Sequence, residues 1–192
     1  MPSTFAFALN SKTRDSKQMI RILASGALCC QMISAQTASL SHLKDQWQAL
    51  KFLEGTWEAK TQQAASKISA SGSYTFREDL DGHILARHTN TNKCKGPVDY
   101  DCDHSDLLYV YEDNAGQRLK AIYFDNEGHV IHYSVSSPAP SSAVFLSDPT
   151  SSGPQFRLMY QLKGVVMEGK FQMRMPGKAE WTSYLDWNGA KK

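Results

Sequence analysis

A basic field is missing from this chain once its first segment is set aside. Residues 1–35 hold Lys12, Arg14, Lys17 and Arg21 against Asp15 alone. The remainder carries 17 basic and 18 acidic residues, a formal charge of −1. Nothing there would hold a polyanion, so nucleic acid is not an expected partner. Long apolar runs are missing too. The longest candidate, Ile22–Cys30, falls short of the roughly 20 apolar residues that a membrane-spanning helix needs.

Catalytic signatures are equally scarce. There is no Gly-x-Ser-x-Gly elbow, no His-Glu-x-x-His, no phosphate-cradling glycine loop and no dinucleotide fingerprint. No positive reason to expect an enzyme exists at this level. The one acidic cluster, Asp99, Asp101, Cys102, Asp103, His104 and Asp106, lacks the central glycine and the later glutamate of a calcium loop. Cys94, Cys102 and His104 supply only three soft ligands without a paired motif. Neither a metal nor another cofactor is expected.

What is present begins with an N-terminal export pattern. A positive stretch, the short apolar run Ile22–Cys30 and the small residues around Ser34 and Ala35 read as a signal peptide over residues 1–35, with cleavage before Gln36 and a start at Met1 or Met19. A periplasmic or secreted protein is the expectation. Cys29 and Cys30 fall within that segment. Cys94 and Cys102 remain, an even pair that suits a disulfide in an oxidising compartment. In the chain-entropy view, closing so short a loop stabilises a fold by about 2–3 kcal/mol.

Residues 36–54 form a helical lead-in. Leu40, Leu43, Trp47, Leu50 and Phe52 lie close to one helical face, and Gly55 ends the pattern. From Thr56 the period becomes two. Ten short segments follow: Thr56–Gln62, Ser71–Glu78, His83–Asn90, Asp106–Glu112, Arg118–Asp125, Val130–Ser136, Ala143–Leu146, Gln155–Leu162, Val165–Met175 and Trp181–Trp187. Connections such as Asp81-Gly82, Lys163-Gly164 and Pro176-Gly177 carry turn chemistry. None is long enough for a parallel crossover, so the strands should run as an antiparallel meander. Met167, Phe171 and Met173 oppose Glu168, Lys170 and Gln172, and Trp181, Ser183 and Leu185 oppose Thr182, Tyr184 and Asp186. One face of such a sheet must be buried. An all-β domain over residues 55–192 follows, either closed into a barrel, the first expectation, or folded as a sandwich.

The inward set is rich in aromatic rings: Trp57, Tyr74, Phe76, Tyr123, Phe156, Tyr160, Phe171 and Trp181. Large apolar walls with a few phenolic hydroxyls suit a small-molecule cavity, and equally a filled core. Arg87, His88 and His132 are the polar residues nearest that interior. Arg87 could pair with a ligand carboxylate, and alternation leaves open whether Arg87 or His88 faces inward. The candidate ligand-binding residues are therefore Trp57, Tyr74, Arg87, His88, Tyr123, His132, Tyr160, Phe171 and Trp181.

Phe52-Leu53-Glu54-Gly55-Thr56-Trp57 resembles the Gly-x-Trp opening of calycins, the superfamily of lipocalins and fatty-acid-binding proteins. Tyr74-Thr75-Phe76 and Leu80-Asp81-Gly82 are similar to the next strand and turn of an uncharacterised bacterial lipocalin-like family. The likeness spans residues 40–188 and implies a barrel entered through a short helix and closed at one end by Trp57. It also implies a basic residue of a late strand packed over that tryptophan, for which Arg174 is the available candidate. Nitrobindin barrels share the Gly-Thr-Trp opening and ligate haem through a C-terminal histidine; here no histidine follows His132, so haem is not expected. Together these readings imply an exported barrel for a small apolar or amphipathic molecule. The alternatives are a ligand-free barrel acting through its surface at the cell envelope and a barrel enzyme built on Arg87 or His88 with His132.

Overall fold

The computed structural model describes residues 44–62, 69–96, 102–113 and 118–192. The predicted signal segment, its cleavage site, and Asp99 and Asp101 lie outside them. Residues 44–50 are helical and run into a 3-10 turn at Lys51–Leu53. Ten strands follow: β1 Gly55–Thr61, β2 Ser69–Asp79, β3 Ile84–Lys95, β4 Ser105–Asp113, β5 Arg118–Asp125, β6 Val130–Ser136, β7 Ser142–Ser147, β8 Gln155–Lys163, β9 Val166–Arg174 and β10 Thr182–Lys191.

Each strand pairs antiparallel with the next, and β1 pairs with β10 to close the barrel. The expected meander is what forms, and the sandwich is not. Closure gives each of these ten strands a neighbour on both sides, the arrangement that removes open sheet edges. Period-two burial supplies the driving force. Leu85, Leu108, Val110, Leu119, Phe145 and Met167 all point inward and are buried. Each such side chain stabilises the fold by roughly 1.5–3 kcal/mol.

The described part of the helical lead-in, residues 44–53, stoppers the barrel at the end where β1 begins. Leu50 and Leu53 are buried there. The Trp47 indole donates to Glu112 Oε1 at 2.6 Å, and the backbone N–H of Leu119 donates to Gln46 Oε1 at 3.2 Å. Trp57 is buried beneath the 3-10 turn and donates to the Leu53 carbonyl at 2.8 Å. The basic residue over Trp57 is Lys191, with Nζ 5.5 Å from the ring centroid, and not Arg174. Arg174 sits on the outer face of β9, whereas closure brings the end of β10 alongside Trp57. Gly55 makes room for this lysine: a Cβ there would lie 2.7 Å from Lys191 Cε, and its φ of +115° suits glycine.

Two irregularities matter for the site. Pairing of β2 with β3 shifts between Ser71 and Gly72. In β10 the register shifts between Ser183 and Leu185, so Tyr184 is the bulged residue. Before the bulge Thr182 faces Met173, and after it Leu185 faces Phe171. Met173 and Phe171 both point inward, so the bulge reverses which residues of β10 do. Trp181 is thereby placed outside the barrel, correcting the inward assignment drawn from simple alternation.

Candidate functional site

The half of the barrel away from the helix holds a cavity of about 480 Å³. Among the described residues it reaches the surface beside Glu127 and His129 in the β5–β6 turn, at the end of the barrel opposite the helix. Its apolar wall includes Leu158, Phe171, Met173 and Ile131, with Phe156 and Phe171 stacked at a centroid separation of 5.5 Å. A volume of this size falls within the usual range for small-molecule sites.

Tyr160 lies at the deep side. Its ring meets Tyr74, Phe76, Phe145 and Trp187 at centroid distances of 5.8, 5.4, 6.1 and 5.7 Å. The Trp187 indole reaches this position because β9 carries Gly169 opposite it; a Cβ there would lie 2.0 Å from Trp187 Cε2. Arg87 Nε is buried with no hydrogen-bond partner among the described residues, and the buried Tyr74 Oη and Trp187 Nε1 have no partner there beyond each other. An unmatched buried polar atom costs about 1–3 kcal/mol, which a purely structural core tends to avoid.

One wall is polar. Arg87 pairs with Phe76 and Leu108 across the sheet, both inward residues, and is itself 5% exposed. It donates to the Tyr160 hydroxyl and to Asp106 Oδ1. Burial works against the arginine charge, but Asp106 and Tyr160 together outweigh it and raise the Arg87 pKa. Against burial, Arg87 together with His104 holds Asp106 below the ordinary carboxylate range. Asp106 Oδ2 lies 3.4 Å from His104 Nε2, which also stands 3.2 Å from the Tyr123 hydroxyl. His104 Nδ1 is 3.1 Å from Glu127 Oε1. Its hydrogen bond with Asp106 is the main reason its pKa is pushed up to about 8. Tyr123 donates to Asp125 Oδ2 at 3.2 Å, and His129 closes the chain at 2.9 Å from the same oxygen. The polar wall thus runs from the buried Arg87–Asp106 pair to the exposed lip.

The structure brings together five of the nine sequence-selected residues. Tyr74, Arg87, Tyr123, Tyr160 and Phe171 line the cavity. Trp57 lies under the stoppered end and does not reach it. His88 follows the inward Arg87 and so faces outward, opposite Thr75 and Leu107. His132 is exposed on the outer face of β6, and Trp181 is outside for the reason given above. A catalytic constellation of His88 with His132 inside the barrel does not exist.

Sequence reasoning missed Trp187, His104, Asp125 and Glu127 as lining residues. Asp106 was legible in part, since it shares the inward parity of Leu108 and Val110; its partnership with Arg87, 19 residues away, was not. Cys94 and Cys102 are joined in a disulfide, as their spacing suggested. It ties the end of β3 to the segment carrying His104. His104, Asp125 and Glu127 place potential ligand atoms within 4.8 Å of one another, but their polar atoms already bond within the protein wall.

In class, this is a closed ten-strand antiparallel barrel with a shape consistent with the calycins. Compared with protein-family models and with curated proteins, the chain matches none.

Proposed function

We propose that this protein is an exported, calycin-type barrel that binds a small, mainly apolar or amphipathic molecule in its central cavity. The carrying observation is the cavity itself: about 480 Å³, stoppered by the helix at one end and walled largely by aliphatic and aromatic side chains. A barrel acting only through its surface has no use for such a space. The buried Arg87 charge is matched by Asp106, so among the described residues the interior holds no unpaired cation for an acid headgroup. The ligand class favoured is therefore uncharged in its buried part. Export is supported by the N-terminal pattern and by the Cys94–Cys102 bond. Calycin kinship is supported by Gly55, Trp57 and the lysine over the tryptophan.

Two measurements test this reading. Native mass spectrometry of protein purified from its natural host should show a bound small molecule that denaturation releases. Nile red should bind the emptied protein saturably, with blue-shifted emission. Protein with neither bound mass nor Nile red binding overturns the reading. For export, the mature chain should begin at Gln36, and an intact N-terminal segment in the mature protein counts against it.

A further inference from the structure

The outer wall near the open end carries a second cluster that the cavity does not use. Arg157 on β8 stands opposite Gln172 on β9, and Gln155 on β8 stands opposite Arg174 on β9. These residues form crossed pairs on one outward face. Arg157 donates through Nε and Nη2 to Gln172 Oε1 at 3.0 and 2.6 Å, and Arg174 Nη2 donates to Gln155 Oε1. Both guanidiniums lie against the Trp181 indole, 4.3 and 4.8 Å from its centroid. The β10 bulge is what delivers Trp181 to them.

No carboxylate stands within ion-pair reach of either arginine among the described residues, and Glu180, next to Trp181 in sequence, is no exception. Two like charges are therefore held close without a counterion. Burial and the charge of Arg174 both lower the Arg157 pKa, the cost that this arrangement carries. Neutral glutamine oxygens and the face of an indole orient the guanidiniums but do not neutralise them. Among the described residues no hydrogen bond engages Arg157 Nη1, Arg174 Nη1 or Arg174 Nε. Two oriented forks with spare N–H groups match an anion of high charge density that offers several acceptor oxygens.

We propose that Arg157, Arg174 and Trp181 form a binding site for a phosphate-type oxyanion on the outer wall beside the cavity mouth. The anion supplies the missing counter-charge, and because the forks are already held by Gln155, Gln172 and Trp181, little side-chain freedom is lost on binding. The oxyanion is either free phosphate or the phosphate of a lipid headgroup.

The experiment uses the mature protein. Titration with inorganic phosphate, followed by calorimetry and by the melting temperature, is compared with sodium chloride at equal ionic strength. Vesicles of phosphatidylglycerol and of phosphatidylcholine are compared by co-sedimentation. The site predicts a saturable melting-temperature rise with phosphate and none with chloride. The double variant Arg157→Gln, Arg174→Gln should weaken phosphate at least about tenfold, since it removes charged hydrogen-bond donors. Its Nile red binding should not change, which also verifies its fold. Phosphatidylglycerol binding that phosphate competes away, with none to phosphatidylcholine, assigns the headgroup; phosphate binding without vesicle binding assigns a soluble ligand. If phosphate acts no differently from chloride on the unmodified protein, or if binding survives the double substitution, the proposal is wrong.

Discussion

Arg87 and Asp106 show what a single buried pair demands. Their side chains are 6% and 7% exposed, and each is the other's counter-charge. Asp106→Asn leaves a guanidinium in the barrel with only neutral partners. Breaking such a pair costs about 3–5 kcal/mol, so the urea midpoint should fall sharply. His104 acts nearer the lip. Its pKa is raised from 6.5 to about 8, so the protonated form is the better bound one in the folded protein. The resulting stability is fully present below pH 6.5 and is lost as pH rises through 8. We expect the urea midpoint to drop between pH 6 and pH 9 by the equivalent of about 1 kcal/mol, the water-facing part of the interaction being screened. His104→Gln should flatten that dependence in the same window.

At the level of elements, β9 and β10 decide the shape of the deep wall. Trp187 can lie over β9 only because residue 169 has no side chain. Gly169→Ala forces the indole away from Tyr160. Overpacking of this kind costs about 1–3 kcal/mol, and the near-UV circular dichroism of the aromatic cluster should weaken along with the urea midpoint. The bulge at Tyr184 has the complementary effect on the outside, where it turns Trp181 onto Arg157 and Arg174. Strand periodicity foretold the positions of β5 and β6 without error, because turn residues bracket both. It ended β10 at Trp187, four residues early, because Asn188-Gly189-Ala190-Lys191 carries little apolar signal. Those residues are strand by virtue of pairing with β1.

For the molecule as a whole, closure depends on that last stretch. Lys191, Ala190, Gly189 and Asn188 pair with Trp57, Glu58, Ala59 and Lys60. Removing residues 188–192 leaves little of the seam and exposes two edges at once. The shortened chain should lose its sharp urea transition, and its Nile red binding should become non-saturable. Retention of a single cooperative transition at the original midpoint contradicts the role assigned to the seam.

Sequence alone determined the alternation of apolar and polar residues from Thr56 onward, the turns between strands and the proximity of Cys94 to Cys102. These are local properties, written in neighbouring side chains, and they suffice for an antiparallel meander with one buried face. Only the tertiary structure decided that Arg87 rather than His88 turns inward, that Asp106 meets it, and that Trp187 and not Trp181 lines the cavity. The reason is geometric. Pairings between distant strands and a one-residue bulge reset which side chain faces which, and neither leaves a trace in local periodicity.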